Sequence, residues 1–137
     1  MRKVLLASLV LAIAGCATAP IVSQTIPSER VGTYRLLAVE HQAVPEVLSE
    51  GPQAGTEILG GQLILNPDGT FLMRIDARAQ VSSLEPLPFS RTSAGTYSSS
   101  TVGVTLAMKD GSQNDGAYFG KTLSIYRDGI QYLFIKN

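Results

Sequence analysis

Residues 66–80, NPDGTFLMRIDARAQ, contain the clearest turn and the clearest strand of this chain. Pro67 presets φ and Gly69 permits a positive φ, so residues 66–69 predict a tight turn. The residues after the turn alternate between apolar and mostly polar. The apolar positions are Phe71, Met73, Ile75, Ala77 and Ala79, and the intervening positions are Leu72, Arg74, Asp76, Arg78 and Gln80. A period of two predicts a strand with one buried and one hydrated face.

Short strand patterns separated by turn residues continue on both sides of this stretch. The sequence predicts further strands at residues 31–40, 43–48, 56–65, 92–98, 102–109, 117–120, 122–127 and 130–136. Gly60-Gly61 predicts a bulge inside one strand, and Asp128-Gly129 predicts a hairpin turn. Pro86 and Pro88 interrupt the pattern over residues 81–89, where a loop is expected. Residues 110–116 predict a polar turn.

Eight to nine short strands without a helix favour an all-β domain of sequential hairpins. We therefore predict an antiparallel up-and-down β-barrel of about eight strands, because closure removes exposed sheet edges. A two-sheet sandwich is the alternative. The core is expected to come from the alternating apolar residues, since the only cysteine lies far upstream at position 16.

Four motifs resemble small bacterial lipocalin-like domains. They are Gly32-Thr33-Tyr34 on the first strand, the hairpin at residues 63–71, Gly95-Thr96-Tyr97, and Thr122-Leu123-Ser124-Ile125. The resemblance covers residues 30–137 and implies a lipocalin-like barrel.

The first sixteen residues resemble a bacterial lipoprotein signal. Arg2 and Lys3 precede an apolar run at residues 4–13, and Ala14-Gly15 lead to Cys16. This resembles the lipobox, which implies that Cys16 becomes the lipid-bearing first residue of the mature chain. A membrane-spanning helix requires about 20 apolar residues, about twice this run. A plain secretory signal is the other alternative.

The chain is therefore expected to divide into a signal peptide (1–15), a lipidated flexible tether (16–30) and a lipocalin-like domain (31–137). Ala17 follows the cysteine, and the resemblance to enteric lipoproteins implies transfer to the outer membrane. The expected location is the bacterial cell envelope, lipid-anchored and facing the periplasm.

Composition and motifs give no support for catalysis, a metal, a cofactor or nucleic-acid binding. Eleven basic residues balance eleven acidic ones, so no basic footprint for nucleic acid appears. His41 is the only histidine and lies in a predicted turn, which leaves no base for a Ser-His-Asp triad and no metal cluster. Residues 110–116 lack the glycine and glutamate positions of a calcium loop. We therefore expect that the protein is not an enzyme and that it binds no cofactor.

Two features point to binding. The first is the apolar interior set, which would grip a small hydrophobic or amphipathic ligand if the barrel held a cavity. The residues proposed for it are Tyr34, Phe71, Met73, Ile75, Tyr97, Leu106, Tyr132 and Phe134. The second is the apolar loop ending at Leu87 and Phe89, which either covers a barrel mouth or contacts a partner or membrane. A solid barrel that docks another envelope protein, as an inhibitor or assembly accessory, is the alternative function.

Overall fold

The structure is a computed structural model that describes residues 25–48, 54–79 and 87–137. These residues form one antiparallel sheet of ten strands, preceded by a single 3-10 turn at Ser28–Arg30. The strands are β1 (Gly32–Val39), β2 (Gln42–Ala43), β3 (Glu46–Val47), β4 (Thr56–Leu65), β5 (Thr70–Ala79), β6 (Leu87–Ser99), β7 (Gly103–Met108), β8 (Gln113–Phe119), β9 (Thr122–Arg127) and β10 (Ile130–Lys136). Within the described ranges, no helix has the length and apolarity needed to cross a bilayer.

The sheet closes into a barrel because β1 pairs on both of its edges. One edge pairs with β10, and the other pairs with β4 from Gly32↔Leu65 to Arg35↔Gln62. The order β1-β10-β9-β8-β7-β6-β5-β4 thus returns to β1. The predicted antiparallel barrel of about eight strands is confirmed, and the sandwich alternative is wrong.

The barrel has two ends, named here after one arginine at each. The Arg30 end carries the 3-10 turn and the connections at residues 66–69, 100–102 and 120–121. The Arg127 end carries the connections at residues 40–41, 109–112 and 128–129, with the first residues of β4 and β6.

Two bulges divide the wall between these ends. One interrupts β1 after Leu36, and the other interrupts β4 after Ile58, beside the Gly60-Gly61 pair that predicted it. A Cβ at Gly61 would lie 2.7 Å from the carbonyl oxygen of Arg74. Bulges bend and twist a strand. Beyond them β1 and β4 separate, and β2 and β3 fill the space by pairing with β1 and β4 respectively.

The barrel interior is built by the alternation seen in the sequence. On β5 the four predicted inward residues from Phe71 to Ala77 are buried, Ala79 is half-buried, and Leu72 and Arg74 on the other face are exposed. The buried apolar residues of the described chain, except Ala38, form one cluster. Eight strands enclose a space that side chains can just fill.

The fold departs from the sequence-based prediction at β6 and β8. β6 begins at Leu87 instead of residue 92, because β5 supplies a pairing partner for every residue back to Ala79↔Leu87. β8 begins at Gln113, inside the predicted polar turn. Its polar residues pair with β7, and Asp115 accepts a hydrogen bond from Thr105 Oγ1 at 2.9 Å. Tertiary pairing overrides local propensity in both cases.

Two smaller differences lie near the N-terminus. The strand predicted at residues 43–48 is divided into β2 and β3 around Val44-Pro45. Residues 25–30, which the sequence assigns to the tether, pack against the barrel: Ile26 is partly buried against the core, and Arg30 lies across one end. The predicted signal peptide and Cys16 lie outside the described residues.

Candidate functional site

The eight residues proposed for ligand contact are all buried in the barrel interior. Tyr34, Leu106 and Phe134 are essentially inaccessible. Ile75 and Tyr132 also line a crevice at the Arg127 end, and its cavity volume is about 10 Å³. That is room for about one water molecule, whereas a drug-sized ligand needs a pocket of about 300 Å³ or more.

The Arg30 end is closed by a single side chain that connects three elements. The guanidinium of Arg30 donates from Nη1 to the carbonyl of Gly120 at 3.0 Å and from Nη2 to the carbonyl of Thr101. It also lies over the ring of Tyr118, 4.0 Å from the centroid, which is a cation–π geometry. The 3-10 turn is thereby fixed to two hairpins.

Three buried tyrosines complete this end, and each hydroxyl has a partner. Tyr34 donates to the Arg30 carbonyl at 2.8 Å, Tyr97 donates to the Asn66 carbonyl at 2.7 Å, and Tyr118 shares a hydrogen bond with a serine hydroxyl at 2.9 Å. Burial raises the pKa of Tyr34 and of Tyr97 to about 12, and it also raises the pKa of Tyr118. The Arg30 end is therefore a polar layer over an apolar core. Its three tyrosine hydroxyls are hydrogen-bonded, and among the described residues the buried Nε of Arg30 has no hydrogen-bond partner.

The Arg127 end differs because β6 extends beyond the end of β7, its neighbour on one side. β6 pairs with β5 along residues 87–96 but with β7 only from Gly95↔Met108 onward. Within the described ranges, no strand pairs with residues 87–94 on the side away from β5.

The direction of the β6 backbone groups follows from one hydrogen bond and the register. Tyr97 donates its N–H to the carbonyl of Gly69, and the β5–β6 register is unbroken. Hydrogen-bonded residues alternate along an antiparallel strand. The residues that direct their backbone groups away from β5 are therefore Pro88, Ser90, Thr92 and Ala94. Pro88 has no N–H, and at this position an N–H would point away from β5. The proline therefore removes no hydrogen bond between β5 and β6, which fits the preference of proline for sheet edges.

Arg127 bridges the gap beside this edge. Its Nη1 donates to Ser93 Oγ at 2.9 Å, and its Nε lies 3.9 Å from Asp128 Oδ2. Arg127 lines both the inner crevice and an outer depression of about 250 Å³ that includes Met108 and Thr92. It is the residue that the linings of these two spaces share.

The side chains around the crevice combine apolar and charged groups. The cations are Arg91 and Arg127, the carboxylate is Asp128, and the apolar walls are Ile58, Ile75, Ala77 and Tyr132. Burial raises the pKa of Tyr132, while Arg127 and Arg91 oppose that rise. Asp110 lies close enough to Arg127 for the arginine to help lower its pKa, after the larger effect of hydrogen bonds from Ser112.

The loop residues proposed as contacts lie on the part of β6 that pairs only with β5 among the described residues. Leu87 and Phe89 are 70% and 39% exposed, at positions that share the inward face with Arg91. His41 is exposed in the β1–β2 turn, and the described residues contain no group of three or more potential metal ligands. Arg30, Arg127 and the β6 edge were missed by sequence reasoning. Only Pro88 carried a signal for the edge, since proline inside a strand marks one.

Comparison of the chain with protein-family models, curated proteins and solved structures finds no match. The resemblance to lipocalin-like domains therefore stays a prediction from the sequence motifs.

Proposed function

We propose that the protein is an envelope lipoprotein that docks an extended segment of another envelope protein on the unpaired edge of β6. One observation carries the proposal: residues 87–94 form a strand that pairs only with β5 among the described residues. Such an edge is a template for strand addition, in which backbone hydrogen bonds supply affinity and side chains supply specificity.

The chemistry beside the edge indicates what segment would fit. Phe89 offers an apolar contact on the inward face, and Arg91 offers a cation two residues later. Cross-strand neighbours of opposite charge or matched apolarity stabilise a sheet. The expected partner segment alternates, with an apolar residue opposite Phe89 and an aspartate or glutamate opposite Arg91.

A display library of random peptides tests the docking proposal. Peptides selected on the full chain should be extended, with apolar residues at alternate positions and one acidic side chain on the same face. A synthetic peptide of the selected sequence should protect the amides of Ser90, Thr92 and Ala94 from hydrogen exchange. A selected peptide that protects other amides would place binding elsewhere and overturn the proposal.

Thr92→Pro and Thr92→Val form the matched pair for this experiment. Both remove the hydroxyl, but only proline removes the N–H that points away from β5. One lost hydrogen bond of about 1 kcal/mol predicts roughly five- to ten-fold weaker peptide binding for Thr92→Pro. Thr92→Val should bind as the unmodified chain does. Equal binding by both variants, with unchanged unfolding midpoints, would contradict strand addition.

The envelope location is proposed on the lipobox resemblance at Cys16. Lipidation predicts that Cys16→Ser moves the protein from the membrane fraction to the soluble fraction and prevents normal signal cleavage. A Cys16→Ser protein that remains membrane-bound and correctly processed would contradict it. This outcome is independent of what β6 binds.

A small amphipathic ligand at the Arg127 end is the second candidate function. It is favoured by the position of Arg127 between the crevice and the outer depression. An acidic head group would pair with Arg91 and Arg127, and rotation of the Arg127 side chain would open the apolar crevice toward Ile75 and Tyr132. Neutral parts of the ligand would then contact the same residues proposed from the sequence.

Native mass spectrometry separates the two functions. Protein purified from its own envelope should carry an acidic small molecule, Arg127→Ala should lose it, and Arg35→Ala, an exposed arginine on β1, should keep it. Thr92→Pro should keep it as well, because no ligand contact involves that N–H. A spectrum of the unmodified chain without any added mass would exclude this second function.

A further inference from the structure

We propose that the Arg30 end rests on the membrane interface through Val102 and Phe119, so that the Arg127 end points into the aqueous phase. This inference rests on the lipidation of Cys16 proposed above, but it adds a second contact with the bilayer and an orientation.

Val102 and Phe119 are two of the most exposed large apolar residues in the described chain, at 72% and 69%. Both lie at the Arg30 end: Val102 is the last residue of the connection before β7, and Phe119 is the last residue of β8. Single exposed apolar residues are common, so their exposure alone carries no conclusion.

The two residues belong to one rim because their strands are bonded there. Tyr118 donates its N–H to the carbonyl of Val102 at 3.0 Å, which places Phe119 on the strand next to Val102. An apolar rim formed by neighbouring hairpins is a feature of interaction surfaces rather than of scattered surface residues.

Arg30 holds both hairpins in fixed positions. Its guanidinium bonds the carbonyl of Thr101, directly before Val102, and the carbonyl of Gly120, directly after Phe119. The same group lies over Tyr118. The rim is therefore preorganised, and docking does not require these hairpins to become ordered first.

The location of the first described residues points to the bilayer as the surface that this rim contacts. Thr25, the first described residue, lines a groove at this end with Gly69 and Tyr97. Nine residue steps separate it from Cys16, and they span at most about 30 Å when fully extended. Acyl chains on Cys16 would thus keep the Arg30 end within about 30 Å of the membrane, closer than the far end of a barrel whose longest described strand has 13 residues.

The side-chain charges at this end nearly balance. Arg30, Lys121 and Lys136 are the cations and Glu29 and Asp68 are the carboxylates, an excess of one positive charge. Lys136 Nζ donates to the Glu29 carbonyl at 2.6 Å. Apolar contact, and not attraction to anionic lipid, is therefore the expected source of docking. Docking should be similar on vesicles of phosphatidylcholine and on vesicles that also contain phosphatidylglycerol.

Site-specific fluorescence on the full lipidated chain tests the orientation. Val102→Cys, Phe119→Cys and Leu87→Cys each introduce a thiol for an environment-sensitive dye, and Leu87 is the control because it is equally exposed, at 70%, but lies at the Arg127 end. In phosphatidylcholine vesicles, dyes at 102 and 119 should shift to the blue and be quenched several-fold less by iodide than the dye at 87.

Two outcomes would overturn the proposal. Equal iodide quenching at all three positions on vesicle-bound protein would show that the rim stays in water. Shielding of 102 and 119 that persists in detergent and rises with protein concentration would assign the rim to a second copy of the chain.

A failure of the lipidation proposal gives a different result. The chain without added cysteine would then react with the dye at Cys16, and the protein would not float with vesicles. Floating protein without labelling at Cys16 confirms the anchor before the orientation is tested.

Discussion

The two ends of this barrel belong to the same sheet but differ in how their strands are paired and closed. At the Arg30 end β1 pairs directly with β4, and one arginine connects three elements over buried, hydrogen-bonded tyrosines. At the Arg127 end the bulges separate these strands, and β6 continues with β5 as its one partner strand among the described residues. The comparison teaches that closure of a small barrel can be local. One end is tied together by hydrogen bonds across three elements, while the other leaves backbone groups of β6 directed away from β5.

The largest expected effect concerns a phenylalanine in each environment. Phe134 is 0% exposed inside the barrel, and Phe89 lies on the β6 edge. Phe134→Ala should lower the free energy of unfolding by about 3 to 5 kcal/mol, and Phe89→Ala by less than about 1 kcal/mol. Denaturant unfolding measures both. Similar losses for the two variants would show that the ends are not packed differently.

The bulge that divides the two ends is tested by adjacent glycines. A Cβ at Gly61 meets the Arg74 carbonyl, while a Cβ at Gly60 meets nothing within 4 Å. Gly61→Ala should destabilise by about 2 to 3 kcal/mol, because backbone must move to accommodate it. Gly60→Ala should change unfolding by less than about 1 kcal/mol. If Gly60→Ala destabilised the protein more than Gly61→Ala, the crowded position would lie elsewhere in the bulge.

The two arginines provide the third test. Arg30→Ala removes two carbonyl hydrogen bonds and the stacking on Tyr118, so we expect a loss of about 2 kcal/mol. Arg127→Ala removes one hydrogen bond and a weak ion pair, so we expect less than about 1 kcal/mol. Chemical unfolding of both variants, with Arg35→Ala as the exposed control, measures these losses in the free energy of unfolding. A larger loss for Arg127 would make the Arg127 end the structural one.

The stability of the Arg30 end should depend on the ionisation of its tyrosines only at alkaline pH. This is therefore the smallest expected effect near neutral pH. Burial raises the pKa of Tyr34 and Tyr97 from 10.0 to about 12. The native state therefore keeps protons that the unfolded chain releases, and this stabilisation is complete below pH 10 and lost as the pH rises toward 12. The unfolding midpoint should fall in that window.

Tyr97→Phe is the matched variant for the pH experiment. It should lose about 1 kcal/mol at neutral pH with the hydrogen bond to Asn66, and its midpoint should fall less steeply between pH 10 and 12. An unfolding midpoint that declines identically in both proteins would remove Tyr97 from the linkage.

Sequence patterns identified the parts of the fold that depend on neighbours along the chain. The turn at residues 66–69 is stabilised locally, since Asp68 Oδ1 accepts the Thr70 N–H at 2.9 Å. The alternation on β5 records burial residue by residue. β9, β10 and the Asp128-Gly129 turn between them were predicted with the bounds that the structure has.

The features that were missed depend on partners distant in sequence. Pro88 breaks a strand pattern, and only the absence of a β7 partner at that position makes it acceptable. Arg30 lies in a segment without period, and its acceptors are 71 and 90 residues away. No local pattern encodes such contacts, so the candidate site was less predictable than the barrel around it.

Residue-resolved hydrogen exchange of β6 in the purified chain tests the central claim most directly. Amides bonded to β5 should be protected and those directed away from β5 should exchange rapidly. The expected slow set is Phe89, Arg91 and Ser93, and the expected fast set is Ser90, Thr92 and Ala94. Uniform protection along these six residues would show that the edge is already paired and would contradict the account.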